Sequence, residues 1–327
     1  MQFAIWGRLQ QESTKECKAM KYGGFRVMHQ LSQDELSATA EPGFGDPLIH
    51  QFRRPPVLFV HGLCFGPNLW DGWSVRFESA GHNCVAPAWP GREKNLAELR
   101  ANPPDEIAAL TFDEVLGRFV GIAEAMTERP IVVGHSVGGL IARLLIEMGL
   151  GIAGVAIDSP PPPELWAIQD PFLLGNWALL HPLAALSLPY VMPFPAFQYL
   201  FAHDLSRSHQ QEAYDLYVSP ESLRVALDAR LEYARVGFEG ERSPLLLIAG
   251  GTDHQMSRHF SSAIAPHRLS NSSSVVDYQC FGNRSHLGLL IGRDWELVAD
   301  AVVAWADRRT REERAQRLSA LSKSHGA

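Results

Sequence analysis

Ser136 stands in the pentapeptide Gly134-His135-Ser136-Val137-Gly138, directly after the apolar run Ile131-Val132-Val133. It is followed by Gly139-Leu140-Ile141-Ala142-Arg143-Leu144-Leu145, whose pattern reads as a helix. A chain that passes from strand to helix in so few residues needs small residues on both sides of the bend, and the bend pushes the central serine out of regular geometry. The hydroxyl then stands clear of the sheet, where a carbonyl carbon can reach it. The N–H of Val137, at the start of the helix, can donate to the oxyanion that attack would form. The chemistry this suits is acyl transfer.

A serine hydroxyl is a poor nucleophile until an imidazole takes its proton, and the imidazole works best when a carboxylate holds its other nitrogen. His286 lies in Asn283-Arg284-Ser285-His286-Leu287-Gly288, just past the last expected strand. Asp253 lies in Gly250-Gly251-Thr252-Asp253-His254, just past an expected strand at Leu245 to Ile248. Loops at the C-terminal ends of parallel strands converge on one edge of a sheet, so residues far apart in sequence can meet there. Ser136, Asp253 and His286 all occupy such positions. Asp158 also ends an expected strand and is the rival acid, although the following Ser159-Pro160 suits it to closing a turn. His135 and His254 adjoin candidates and read as supporting or exposed residues. Cys64 is a thiol without an elbow and reads as packing.

The elements that must position these residues follow from the spacing of apolar positions. Val57 to Val60, Cys84 to Ala86, Ile131 to Val133, Ile152 to Ile157, Pro244 to Gly250 and Ser274 to Tyr278 read as strands. Helices are expected over Trp70–Glu78, Asp105–Met126, Val137–Met148, Met256–Ile264 and Trp295–Trp305. Strands without polar alternation, separated by amphipathic helices, describe a mostly parallel sheet covered on both faces. Residues 159–242 break the rhythm: they open on Ser159-Pro160-Pro161-Pro162-Pro163, are rich in aromatics, and read as a helical lid over the catalytic edge. The expected organisation is a core of 56–158 and 243–308, a lid of 159–242 and a polar tail of 309–327. An extension over 1–55 carries two weak opening strands, Gly24 to Met28 and Leu48 to Phe52.

The elbow at Gly134 to Gly138, the pair His61-Gly62 after the Val57 to Val60 strand, Asp253 and His286 together resemble the α/β-hydrolase family of serine esterases and lipases. The resemblance runs from about residue 55 to residue 307, the lid excepted. It implies the α/β-hydrolase fold, and an oxyanion hole completed by the N–H of Leu63 with that of Val137. It also implies a lid inserted after the sixth family strand, and an esterase that needs no metal or organic cofactor. Cys64 and Phe65 sit beside the oxyanion position. The acyl or alcohol group is expected to rest on these two residues and on Trp166, Phe172, Trp177, Phe194 and Phe197 of the lid. Those apolar surfaces suit a hydrophobic small-molecule ester, with water as the second reactant.

A serine at position 136 argues against the branches that form their covalent ester on a carboxylate. Carbon-carbon, lactone, amide and thioester cleavage, acyl transfer, and a ligand receptor on this scaffold stay open. The 327 residues carry a formal net charge of −7 with 46% hydrophobic residues, and no concentrated basic patch, so no nucleic-acid partner is expected. Cys17, Cys64, Cys84 and Cys280 form no C-x-x-C pair, which offers neither a thiolate zinc site nor a redox dithiol. The opening residues lack a basic-then-apolar leader, and the apolar stretch Phe172 to Leu200 is broken by four prolines. A cytoplasmic enzyme without a transmembrane segment is expected, with homodimerisation left open.

Overall fold

A computed structural model describes residues 54–160, 188–232, 242–256 and 274–324. Six strands, β1 (Val57–Val60), β2 (Cys84–Val85), β3 (Ile131–His135), β4 (Ala153–Ile157), β5 (Leu245–Gly250) and β6 (Val276–Phe281), form one sheet in the order β2-β1-β3-β4-β5-β6. Every pairing is parallel. The strands β1, β3, β4 and β5 are buried along their whole length, which is why they read as unbroken apolar runs. Burying a side chain the size of Phe59 or Val133 stabilises the fold by about 1.5–3 kcal/mol, and both are fully inaccessible. The order reverses direction at β1, so the C-terminal ends of β1 and β3 border the crevice where such sheets bind ligands.

The helices are α1 (Asp71–Ser79), α2 (Leu96–Ala101), α3 (Asp105–Ala109), α4 (Phe112–Ala125) and α5 (Val137–Glu147) in the first half. The expected helix over Asp105–Met126 is therefore two helices. Leu110 takes an extended conformation, and Thr111 starts α4 with a capping box: its hydroxyl accepts from Glu114 N–H while the Glu114 carboxylate accepts from Thr111 N–H. That T-x-x-E signature was present in the sequence and marks a helix start inside the longer apolar pattern. Helix α2 is short and was not expected, although Asn95 caps it by accepting from Glu98 N–H at 3.0 Å.

The inserted layer contributes α6 (Phe194–Leu200), α7 (Arg207–Tyr217) and α8 (Leu223–Glu232), a lid-like insertion. Arg100 of α2 holds it to the core by donating to the carbonyls of Tyr214, Asp215 and Val218 at the C-terminal end of α7. Two further helices, α9 (Gly288–Ile291) and α10 (Trp295–Ser324), close the fold. Helix α10 runs unbroken past the expected end at Trp305. Trp305 and Arg309 both bond Asp277 of β6, so the polar segment is anchored to the sheet at residue 309. Among the described residues, no helix is long and apolar enough to cross a membrane. The expected strands before residue 54, the helix over Met256–Ile264 beyond Met256, and Trp166, Phe172 and Trp177 lie outside the described residues.

Candidate active site

Ser136 links β3 to α5 with φ 56° and ψ −125°, a left-handed backbone that costs a non-glycine residue about 1–3 kcal/mol. Neighbouring hydrogen bonds hold it there: its N–H donates to Ile157 O at 2.9 Å and its carbonyl accepts from Gly139 N–H at 2.8 Å. Among the described residues, two of the other three non-glycine residues with positive φ, Cys64 (66°) and Asp158 (43°), follow β1 and β4 at the same edge of the sheet. Strain is thus concentrated where β1, β3 and β4 end. Val137, the first residue of α5, has an N–H with no acceptor within its own helix.

The imidazole of His286 donates from Nδ1 to Oδ2 of Asp253 at 2.7 Å, with both side chains fully buried. Its Nε2 is buried and has no hydrogen-bond partner among the described residues. The Asp253 loop lies hard against the His286 loop: Gly251 N–H donates to Phe281 O at 2.9 Å and Thr252 N–H to Arg284 O at 3.1 Å. A Cβ on Gly251 would stand 2.3 Å from Gly282 O, so the Gly250-Gly251 pair is what permits this approach.

Asp158 comes near the same imidazole without being its closest partner. Its Oδ2 lies 3.8 Å from His286 Nδ1, and its Oδ1 accepts from Gly250 N–H at 2.8 Å. Burial first, and then the Asp253 carboxylate beside it, push Asp158 well above the usual carboxylate range. Of the two acids, Asp158 is thus the one whose surroundings disfavour the ionised carboxylate. Among the described residues, Asp158, Asp253 and His286 are the one group of three side chains whose ligating atoms, within 4.8 Å of one another, could hold a metal. Within that group His286 Nδ1 is bonded to Asp253 Oδ2, and Asp158 Oδ1 accepts from Gly250 N–H.

His135, next to the serine, stacks obliquely on His286 with ring centroids 4.4 Å apart, and its Nε2 bonds the His286 carbonyl at 3.1 Å. Burial, reinforced by His286, pushes its pKa well below the ordinary value, so it stays neutral and supports the backbone of the neighbouring histidine. His254 stacks on His203 at 3.8 Å and bonds Tyr199 O, on the lid side of the Asp253 loop.

On the β1 side, Leu63 and Cys64 are buried and Phe65 is fully inaccessible. The N–H of Cys64 is taken by the Glu221 carboxylate at 2.7 Å, so it is not the free donor of this turn. Burial, with Glu221 adding to it, raises the Cys64 thiol well above its usual range. Iodoacetamide at about pH 8 is therefore expected to leave Cys64 unmodified in the native protein and to alkylate it only after denaturation. Peptide mass mapping checks this, and rapid native alkylation would place a thiolate in the site.

The lid residues within the described region form an aromatic row. Phe194 and Phe197 have centroids 6.4 Å apart, Phe197 and Phe201 6.3 Å, and Phe201 meets the His286 ring edge-on at 5.1 Å. Phe65 packs edge-on against Phe201 at 5.4 Å. Phe201 and Asp204 were missed by sequence reasoning, although they hold the histidine loop. Phe201 O accepts from Leu287 N–H and Ser285 Oγ, each at 2.8 Å, and Asp204 Oδ2 accepts from Ser285 N–H at 3.0 Å. No motif marks them, since they act on residues more than 80 positions away.

Polyneuridine aldehyde esterase, as a solved structure, superposes with a TM-score of 0.51 at 17% identity, covering 75% of this chain and 96% of that one. A methylesterase from Arabidopsis gives a TM-score of 0.55 at 14% identity over 77% of this chain and 99% of that one. Tomato methylketone synthase I, complexed with 2-tridecanone, gives 0.56 at 17% identity over 79% and 100%. At these identities the likeness is one of fold. The rice (Oryza sativa subsp. japonica) esterase PIR7B is 34% identical over 104 residues, which is 30% of this chain and only 35% of the length of that curated relative. A profile of the alpha/beta hydrolase family matches residues 57–307, well over half of the 327 residues, and the chain belongs to that family.

Proposed function

We propose that this protein is a serine hydrolase that cleaves a hydrophobic carboxylic ester through an acyl-enzyme intermediate. The observation that supports the reading is a buried imidazole whose Nδ1 is bonded to Asp253 at 2.7 Å and whose Nε2 has no partner among the described residues, in a chain that also holds a strained serine at the head of α5. Ser136 Oγ attacks the ester carbonyl carbon while its proton passes to His286 Nε2. The N–H groups of Leu63 and Val137 hold the oxyanion, Asp253 stabilises the imidazolium, and the C–O bond to the alcohol breaks as His286 returns the proton to the leaving oxygen. Water, deprotonated by the same imidazole, then attacks the acyl carbon, and the bond from that carbon to Ser136 Oγ breaks as the imidazolium returns the proton to Oγ and the acid leaves. The aromatic row Phe194, Phe197 and Phe201, with Phe65, favours an apolar acyl or alcohol group. The esterase named among the relatives and the esterases among the similar structures point to the same bond.

A fluorophosphonate probe is expected to label Ser136, and a p-nitrophenyl ester series is expected to show turnover that rises with acyl length. Hydrolysis that persists with Ser136 unlabelled would overturn the reading. The two acids are separable. Asp253→Asn is expected to lower kcat by about 10⁴-fold, since the imidazole loses its orienting charge. Asp158→Asn, which keeps the shape and a donor toward Asp253, is expected to change kcat less than about threefold. The reverse ranking in steady-state kinetics would assign the acid's role to Asp158.

A further inference from the structure

Arg92 and Glu221 lie 129 residues apart in sequence and meet in the interior, each side chain 1% exposed. Arg92 Nη2 bonds Glu221 Oε1, and Nη1 donates to Phe65 O at 3.1 Å. The guanidinium lies 5.0 Å from the centre of the Trp89 ring, which itself stacks on His61 at 4.9 Å. The other carboxylate oxygen of Glu221 takes Cys64 N–H at 2.7 Å, and Oε1 also takes Ser222 N–H at 2.7 Å. The backbone continues the connection. Ser219 N–H donates to Cys64 O at 2.8 Å, and Glu221 exchanges two hydrogen bonds with Tyr190 at 2.8 Å each.

The turn Leu63-Cys64-Phe65 is thus held at three backbone polar groups: the Cys64 N–H, the Cys64 carbonyl and the Phe65 carbonyl. Two of the anchors come from the inserted layer and one from Arg92. Cys64 has φ 66°, a conformation that would relax if its N–H were released. A buried ion pair adds little net stability, because desolvation of both charges offsets their attraction. An isolated carboxylate this close to a developing oxyanion would oppose it, and Arg92 neutralises that charge.

We propose that the Arg92–Glu221 pair is a positioning device for the oxyanion turn. It ties the lid-like layer to Leu63-Cys64-Phe65, engages the N–H of Cys64, and so holds the preceding N–H, that of Leu63, in register with that of Val137. The inference rests on the serine-hydrolase reading above. Its consequence is that the inserted layer contributes to the transition state from a distance, through a turn it never leaves.

Two variants test it in the full chain. Glu221→Gln keeps the volume but weakens the grip on Cys64 and Arg92. Arg92→Met/Glu221→Leu replaces the pair by apolar groups, a change that is often neutral or stabilising in a core. Because Cys64 N–H, Ser222 N–H and Phe65 O lose these partners, the double variant is expected to melt at a lower temperature yet stay folded under assay conditions, while kcat falls about 100-fold, with KM within about threefold, since one misplaced oxyanion donor costs about 10²–10³ in kcat. Affinity for an alkylboronic acid, which forms a tetrahedral adduct on Ser136, should fall with kcat/KM, while the carboxylic acid product should bind as before. A purely structural role would instead leave kcat and boronate affinity of the folded double variant at wild-type values. A folded double variant with kcat within threefold of wild type overturns the inference. Should the double variant not fold, an unchanged boronate affinity in Glu221→Gln overturns it. Wild-type turnover abolished by Ser136→Ala yet untouched by the pair variants defeats this inference alone. Parental turnover by Ser136→Ala defeats the serine reading and this inference together.

Discussion

Ser136→Ala is expected to lower kcat for a p-nitrophenyl ester by about 10⁶-fold while leaving affinity for the acid product nearly unchanged. The size follows from what the substitution removes. Without Oγ no acyl bond forms, and only the two backbone donors and the binding surface remain, which by themselves sustain about 10³-fold catalysis over water. The fold should be untouched, because the elbow is held by main-chain bonds from Ser136 N–H to Ile157 O and from Gly139 N–H to Ser136 O, both of which an alanine makes. Single-turnover and steady-state assays with equal melting temperatures check the result. Turnover within tenfold of the parent would remove Ser136 from the mechanism.

Gly138→Ala is expected to destabilise the protein by about 3 kcal/mol or more, which lowers the melting temperature by roughly 10 °C for a domain of this size. An added Cβ would stand 2.1 Å from Val60 O and 2.6 Å from His61 O. Both are backbone atoms at the end of β1, so neither can swing aside. The strand end that moves carries the turn with Leu63, so activity should fall further than the stability loss alone explains. Gly117→Ala supplies the contrast. It lies on the exposed face of α4, where an added Cβ meets nothing within 4 Å. There the expected change is a stabilisation of about 0.5–1 kcal/mol. Thermal unfolding of the two variants side by side checks both signs, and a Gly138→Ala protein as stable as wild type would contradict the close packing of α5 on β1.

Much of the sheet was readable because its strands are buried on both faces and therefore spell continuous apolar runs. Val57–Val60 and Leu245–Gly250 are found within a residue of where the runs place them. The helix after Ser136 was equally plain, since ten of its eleven residues are buried and its glycines fall at its start. The Asp105–Met126 segment was misread as one helix for a physical reason. Apolar periodicity continues across Leu110-Thr111, and only the capping chemistry of Thr111 and Glu114 interrupts it. The grip of Phe201 and Asp204 on the histidine loop left no trace in the local pattern.

The amino-acid order by itself determined the local geometry: the strand, the bend at Ser136 and the helix that follows are set by interactions among residues a few positions apart. It also placed Asp253 and His286 after strands, because strand ends are marked by where apolar runs stop. Only the tertiary structure decided that Asp253 rather than Asp158 is the closer partner of His286, by 2.7 Å against 3.8 Å. It alone brought Arg92 to Glu221 under the turn at Cys64. Such choices depend on differences of about an ångström between groups scores of residues apart, and packing of the sheet, the loops and the inserted layer sets those distances.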